Sequence, residues 1–163
     1  YDAQLLDAVE AVNFRQKDLL FQKIGDFFGD QVAGLTIALW GLSFKPNTDD
    51  MREAPSRSLM EALWRAGARV RAFDPAAMEE TRRIYGERDD LLLTEDAMAA
   101  VDGSDALVIV TEWSQFRSPD FRAIAARLKQ PVLIDGRNIL DPRQVSAAGI
   151  TYTSIGRSPA IPA

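Results

Sequence analysis

The loop that follows the first short apolar run carries side chains able to bind a phosphate or a carboxylate. Lys45 and Arg52 donate hydrogen bonds and accept none, which suits both to anionic oxygens. Phe44 precedes Lys45, and its ring could stack on a base or a sugar. The helix predicted from Pro55 would add free backbone N–H groups at its first turn. Alternatively, Lys45 and Arg52 form surface ion pairs with neighbouring carboxylates. The candidates for those pairs are Asp49, Asp50 and Glu53.

Three other apolar runs also end in residues that could contact a ligand. Arg137 follows Gly136, which allows close approach to the backbone, so Arg137 is either a phosphate-binding side chain or a surface arginine in a turn. Asp74 could bind a ribose hydroxyl, but the Pro75 after it favours a helix cap. Trp113 is more typical of packing than of ligand contact.

Aspartates at the ends of the apolar runs would also suit a magnesium ion. The residues concerned are Asp49, Asp50, Asp74 and Asp135. We disfavour a magnesium site, because the first two lie beside cationic side chains and no nucleophile accompanies them. The sequence therefore predicts no metal ligands.

Short apolar runs alternate with amphipathic segments along most of the chain after an opening helix. This pattern predicts an α/β fold, a Rossmann-like parallel sheet of about six strands with helices on both faces. Ligands bind such sheets beyond the carboxyl ends of the strands, near the point where the strand order reverses. The cationic residues described above follow predicted strands, so we expect them at that edge.

The opening segment, residues 1–28, predicts a long helix with apolar residues at helical spacing. Gln16 and Lys23 interrupt its apolar face, so we expect this helix to meet another protein surface. The last residues, 158–163, are rich in proline and alanine and are predicted to be loose.

Composition excludes several classes of function. The 163 residues contain no cysteine and no histidine, which excludes a thiol nucleophile and a histidine general base within this chain. The net charge of −5, without a basic stripe, argues against nucleic acid as a partner. No apolar run approaches the roughly 18 residues of a membrane span, and no signal peptide opens the chain. We therefore expect a cytoplasmic protein with no membrane partner.

The run at residues 41–55, GLSFKPNTDDMREAP, resembles the signature of the UDP-binding domain of UDP-glucose/GDP-mannose dehydrogenases. The resemblance extends over nearly the whole chain, from Tyr1 to about Arg157. Other matching strings follow in the order of the family: Asp74-Pro75, Thr111-Glu112-Trp113, Phe116, Asp120-Phe121 and Asp135-Gly136-Arg137-Asn138.

This resemblance implies a role for each cationic residue and a division of the chain. Phe44 and Lys45 match a pair that holds the UDP-sugar, and Arg137 matches a substrate-binding arginine. Arg52 matches an arginine that reaches the cofactor NAD, which another domain binds for the most part. Residues 1–30 are similar to part of the central helix that connects two domains and forms the dimer contact, so the resemblance implies a homodimer through this helix. Residues 31–157 would be the UDP-sugar-binding domain, with a loose tail at 158–163.

The family also has parts that this sequence lacks. Its reaction oxidises an alcohol to a carboxylate with two NAD molecules and uses a cysteine nucleophile. Neither the cysteine nor the glycine-rich NAD-binding domain is present here. We therefore expect a piece of a longer enzyme that has no catalytic residue of its own and is inactive alone.

The strings FKPNTDDMREAP and TEW look most like the UDP-glucose branch, which supplies UDP-glucuronate for polysaccharide precursors. The alternatives are a dehydrogenase for a UDP-N-acetyl sugar or GDP-mannose, and a nucleotide-sugar-binding module without catalysis. A phosphate-handling α/β enzyme built on the strand-end aspartates is a third class.

Overall fold

The computed structural model describes residues 17–163, which fold around one sheet of six parallel strands. The order across the sheet is β3-β2-β1-β4-β5-β6, as in Rossmann-like folds, and the predicted fold class is confirmed. The strands are β1 (Thr36–Trp40), β2 (Arg69–Phe73), β3 (Leu91–Leu93), β4 (Ala106–Ile109), β5 (Val132–Asp135) and β6 (Thr151–Ser154).

Helices connect the strands and cover both faces of the sheet. The helices are α1 (described over residues 17–28), α2 (Pro55–Arg65), α3 (Met78–Tyr85), α4 (Ala97–Val101), α5 (Phe121–Arg127) and α6 (Pro142–Ala147), with a 3-10 turn at Ser114–Phe116. The predicted opening helix is present over residues 17–28, and its first part lies outside the described residues. Within residues 17–163, no helix combines the length and apolar character that crossing a membrane requires.

Strand β1 shows why the chain forms a two-sided core. Ile37 and Leu39 belong to the core on one face of the sheet, and Ala38 and Trp40 belong to the core on the other. Successive side chains of a strand point to opposite faces, so a run that is apolar at every position is buried on both. This burial fixes the central strand whose end carries the candidate phosphate-binding loop.

Capping residues set the beginnings of the shorter helices. Asp96, Asp120 and Asp141 precede α4, α5 and α6, and each carboxylate accepts a hydrogen bond from a backbone N–H of the first turn. Helix α2 begins differently, with Pro55 in its first turn and no side-chain cap. The first N–H groups of α2 are therefore free of a capping side chain.

Helix α1 packs against the sheet and reaches the loops at its carboxyl edge. Leu20 and Ile24 are buried in the core. Lys17 forms an ion pair with Glu53, which follows Arg52. The methyl carbons of Leu20 would lie 3.0 and 3.2 Å from a β-carbon added to Gly136. One helix thus contacts the loop after β1 and the turn after β5.

The tail forms one backbone bridge to β6. Tyr152 and Ala160 form an isolated antiparallel bridge, and each backbone N–H donates to the carbonyl of the other at 2.8 Å. These two hydrogen bonds extend β6 on its outer side. The tail is therefore held against the sheet at Ala160.

Candidate functional site

The candidate residues lie at the carboxyl edge of the sheet, on both sides of the point where the strand order reverses. Strands β1 and β4 are neighbours there, with β2 on one side and β5 on the other. Phe44, Lys45 and Arg52 follow β1, and Arg137 follows β5. This edge is the usual ligand position in such sheets, as the sequence predicts.

The loop after β1 is closed by its own hydrogen bonds and projects two exposed side chains. The backbone N–H of Phe44 donates to the carbonyl of Asp50 at 2.8 Å, and the N–H of Asp50 donates to Thr48 Oγ1 at 3.1 Å. Phe44 is 48% exposed although its ring is large and apolar, and Lys45 is exposed beside it. An exposed aromatic ring next to an amine can bind a ring together with an anionic group.

Arg52 forms one of the surface ion pairs that the sequence offers as an alternative. Its guanidinium binds both carboxylate oxygens of Asp50, with Nη2–Oδ2 at 2.8 Å and Nε–Oδ1 at 3.0 Å. The hydrogen bonds from Arg52 lower the pKa of Asp50 to about 2, so the pair is charged at neutral pH. Among residues 17–163, Lys45 forms no salt bridge.

Asp74, after β2, is a structural residue that organises the loop after β1. Its Oδ2 accepts hydrogen bonds from the backbone nitrogens of Leu42 at 2.7 Å and Ser43 at 2.9 Å, and its Oδ1 accepts from Ala76 and Ala77, both at 2.8 Å. The side chain is buried, with 1% exposure. Both oxygens are therefore occupied, which leaves no acceptor for a ribose hydroxyl. The helix-cap alternative is also wrong, because α3 begins at Met78 with Ala77 as its N-cap and without a side-chain cap.

Asp135, the last residue of β5, is a structural residue that organises the turn carrying Arg137. Its Oδ1 accepts from the backbone nitrogen of Arg137 at 3.0 Å, and its Oδ2 accepts from the nitrogens of Ile139 and Leu140, both at 2.9 Å. The hydroxyl of Tyr152 donates to the same Oδ2 at 2.9 Å. Asp135 is fully buried, so these bonds fix the backbone from which Arg137 projects.

Arg137 is paired with Glu112, which follows β4. Nε of Arg137 lies 2.5 Å from Oε2 of Glu112, and Nη2 lies 2.8 Å from Oε1. Burial acts to raise the pKa of Glu112, but hydrogen bonds from Arg137 and the backbone outweigh it and the pKa is lowered. Both residues line an open cleft of about 410 Å³, together with Arg117 and Asn138.

Residues 111–113 link three loops, a role that the sequence does not reveal. Thr111 Oγ1 donates to the carbonyl of Ser43 in the loop after β1, at 2.6 Å. Glu112 holds Arg137 in the turn after β5. The indole Nε1 of Trp113 donates to Asp74 after β2 at 3.1 Å, while the half-buried ring packs against the core. The sequence does contain one indication of this role, because Thr111 and Glu112 are polar residues that closely follow a buried strand.

The strand-end aspartates do not converge on a metal position. Within residues 17–163, no group of three or more histidine, cysteine, aspartate or glutamate side chains could hold a metal ion. Asp74 and Asp135 face backbone N–H groups, and Asp50 faces Arg52. Their carboxylate oxygens therefore accept hydrogen bonds from the surrounding loops and are not directed at a common metal position.

One known protein family matches most of the chain. Residues 38–142 match the UDP binding domain of the UDP-glucose/GDP-mannose dehydrogenase family. The chain belongs to this family. The match includes the loop after β1, the linking residues 111–113 and the turn that carries Arg137, so the whole candidate site lies within the UDP binding domain.

Individual members of the family resemble the chain over almost its full length. It is 52% identical over 160 residues to the UDP-glucose 6-dehydrogenase of Pseudomonas aeruginosa and 41% identical over 154 residues to that of Rhizobium meliloti. These alignments cover 96% and 94% of the chain but 35% of each relative. The structure of a UDP-glucose dehydrogenase from Pyrobaculum islandicum matches with a TM-score of 0.77 and 31% identity, covering 93% of this chain and 32% of that one. The chain thus spans about a third of the length of these family members.

Proposed function

We propose that this chain is the substrate-binding part of an NAD-dependent UDP-glucose 6-dehydrogenase, which converts UDP-glucose and two NAD molecules to UDP-glucuronate. The observation that carries the proposal is the set of cations at the strand-order reversal in a UDP binding domain of this family. The relatives named UDP-glucose 6-dehydrogenase at up to 52% identity support UDP-glucose as the substrate.

Phe44, Lys45 and Arg137 are the residues that we propose to hold the nucleotide sugar. Lys45 is exposed, and no salt bridge within residues 17–163 neutralises it, so its amine is available to an anionic oxygen. Phe44 offers an exposed ring beside it. Arg137 lies in a polar cleft, where its guanidinium suits a diphosphate. The uncapped first turn of α2 adds N–H groups close in sequence to the same loop.

The chain's own residues do not fit NAD as the principal ligand of this sheet. The carboxylate after β2, which binds a ribose in dinucleotide-binding folds, is here buried and occupied by backbone N–H groups. Arg52 does fit a peripheral contact to NAD, because 88% of its side chain is exposed. NAD would accept the hydride, and we propose that a domain outside this chain holds it.

Turnover would require residues that this sequence does not contain. The chain has no cysteine, so it has no thiol to attack an oxidised sugar carbon. We propose that the remaining two-thirds of a full-length enzyme supplies this nucleophile. The chain alone, mixed with UDP-glucose and NAD, should then form no NADH.

The same proposal includes a cytoplasmic enzyme of polysaccharide precursor synthesis that dimerises through its opening helix. The helical apolar pattern of residues 1–28, broken by Gln16 and Lys23, supports the dimer. Light scattering at high protein concentration tests it, and a monomeric mass would contradict it.

Calorimetric titration with UDP-glucose, GDP-mannose and NAD tests the proposed ligand. We expect UDP-glucose to bind most tightly and Lys45→Ala to weaken it about tenfold, the loss of one charge-assisted hydrogen bond. Lys129→Ala is the matched control, because Lys129 is exposed before β5, at the opposite edge of the sheet. Tight binding of NAD without UDP-glucose would overturn the assignment.

A further inference from the structure

The ion pair between Glu112 and Arg137 occupies only one edge of the guanidinium. An arginine side chain has five N–H donors in a rigid fork. Glu112 takes one on Nε and one on Nη2, which leaves both donors of Nη1 and the second donor of Nη2. A diphosphate can therefore bind Arg137 while Glu112 remains in place.

Glu112 is itself held on both sides. Thr111 before it is fully buried and donates to Ser43, and Trp113 after it donates to Asp74. The backbone N–H of Trp113 also donates to the carbonyl of Thr111 at 3.0 Å, which closes a tight turn around Glu112. The carboxylate therefore extends from a backbone that cannot shift without breaking contacts to two other loops.

We propose that Glu112 is a positioning residue, which holds the guanidinium of Arg137 in one orientation so that its free donors receive the diphosphate of the nucleotide sugar. This inference rests on the proposed function, because it takes Arg137 as a ligand-binding residue. Ordering a free arginine on binding costs rotamer entropy, and an arginine already held by Glu112 has lost that entropy before the ligand arrives.

The opposite role for Glu112 would be competition, in which its carboxylate must leave before a phosphate can bind. The two roles predict opposite effects of the same substitution. Removing a competitor strengthens ligand binding, whereas removing a positioning residue weakens it.

The first experiment measures binding of UDP-glucose to the 163-residue chain and to Glu112→Ala, Glu112→Gln and Arg137→Ala. We expect Glu112→Ala to weaken binding about tenfold and Glu112→Gln less, since the amide oxygen still accepts one hydrogen bond. In the double variant, Glu112→Ala should add little to Arg137→Ala, because both act through one guanidinium. Glu95→Ala, at an exposed glutamate before α4, is the matched control and should leave binding unchanged.

The outcomes separate this inference from the proposed function. If Arg137→Ala leaves binding unchanged, the assignment of Arg137 to the ligand is wrong. If Arg137→Ala weakens binding but Glu112→Ala leaves it unchanged or strengthens it, the positioning role is wrong. Fully additive losses in the double variant would also exclude it.

A second measurement needs no ligand. Nitrogen-15 relaxation of arginine Nε–H groups should show Arg137 as rigid in the wild-type chain and as mobile as Arg122 in Glu112→Ala. Arg122 is an exposed arginine on α5 and provides the reference. If Arg137 is equally mobile with and without Glu112, the carboxylate does not hold it and the inference fails.

Discussion

The carboxylate of Asp74 holds the backbone of Leu42, with Oδ2 at 2.7 Å from the nitrogen, although 32 residues separate them in the chain. The same oxygen accepts from the nitrogen and the hydroxyl of Ser43. The buried carboxylate directly after β2 therefore fixes the start of the loop after β1. The positions of Phe44 and Lys45 therefore depend on Asp74, although Asp74 forms no hydrogen bond with either residue.

Replacing Asp74 with asparagine should destabilise the chain by about 2–4 kcal/mol, because an amide group would face backbone N–H donors that need a carboxylate oxygen. Urea denaturation measures the free energy of unfolding of each variant. Asp49→Asn, at an exposed position in the loop after β1, is the control and should change stability by less than about 0.5 kcal/mol. Equal stabilities of the two variants would show that the buried carboxylate is dispensable.

Replacing Gly41 with alanine should disrupt the contact between the ends of β1 and β4. A β-carbon there would lie 2.5 Å from Cβ of Thr111, and the φ of 96° already disfavours a side chain. We expect a loss of about 3 kcal/mol or more in thermal or urea unfolding. Gly103→Ala has a φ of 72° but open space around it, so it should lose only about 1 kcal/mol. Similar losses for both would mean that backbone conformation alone sets the cost.

The sequence predicts the sheet well because strands and helices are encoded locally. The three-residue strand β3 and the start of α2 at Pro55 lie where apolar runs and proline indicate them. The sequence does not predict that Thr111 contacts Ser43, which lies 68 residues away, because that contact depends on the order of strands. The sequence also does not predict that Arg52 pairs with Asp50 or that Arg137 pairs with Glu112. A cation near several carboxylates has several possible partners, and only the fold selects one.

The hydroxyl of Tyr85 donates to Glu61 at 2.7 Å, and this pair should make stability depend on alkaline pH. Burial, and then the hydrogen bond to Glu61, raises the pKa of Tyr85 from 10.0 to about 12. Because the folded-state pKa is the higher one, this contribution to stability is complete below pH 10 and is lost as the pH rises to about 12.

The test compares the wild-type chain with Tyr85→Phe in urea unfolding from pH 8 to pH 12. The variant should be about 1 kcal/mol less stable at pH 8, and the difference should shrink above pH 10. Absorbance at alkaline pH gives an independent check, since the variant should lack the tyrosine that ionises near pH 12. A difference that stays constant across this range would contradict the raised pKa.

Truncating Leu20 to alanine should weaken the packing of α1 on the sheet. The side chain is 4% exposed and its methyl carbons lie against Gly136, so its removal leaves a cavity. We expect a loss of about 2–4 kcal/mol in urea unfolding. Leu92→Ala is the control, because Leu92 is 51% exposed and should cost about 1 kcal/mol or less. Comparable losses would mean that α1 is not part of the cooperative core.

The contacts of α1 have a mechanical consequence for the site. Lys17 holds Glu53 beside Arg52, and Leu20, one turn later, lies against Gly136 beside Arg137. Both contacts come from adjacent turns of the same helix. A rotation or translation of α1 would therefore displace the loop after β1 and the turn after β5 together. The distance between the guanidinium groups of Arg52 and Arg137 therefore depends on the position of α1. None of the residues assigned to ligand binding lies on this helix.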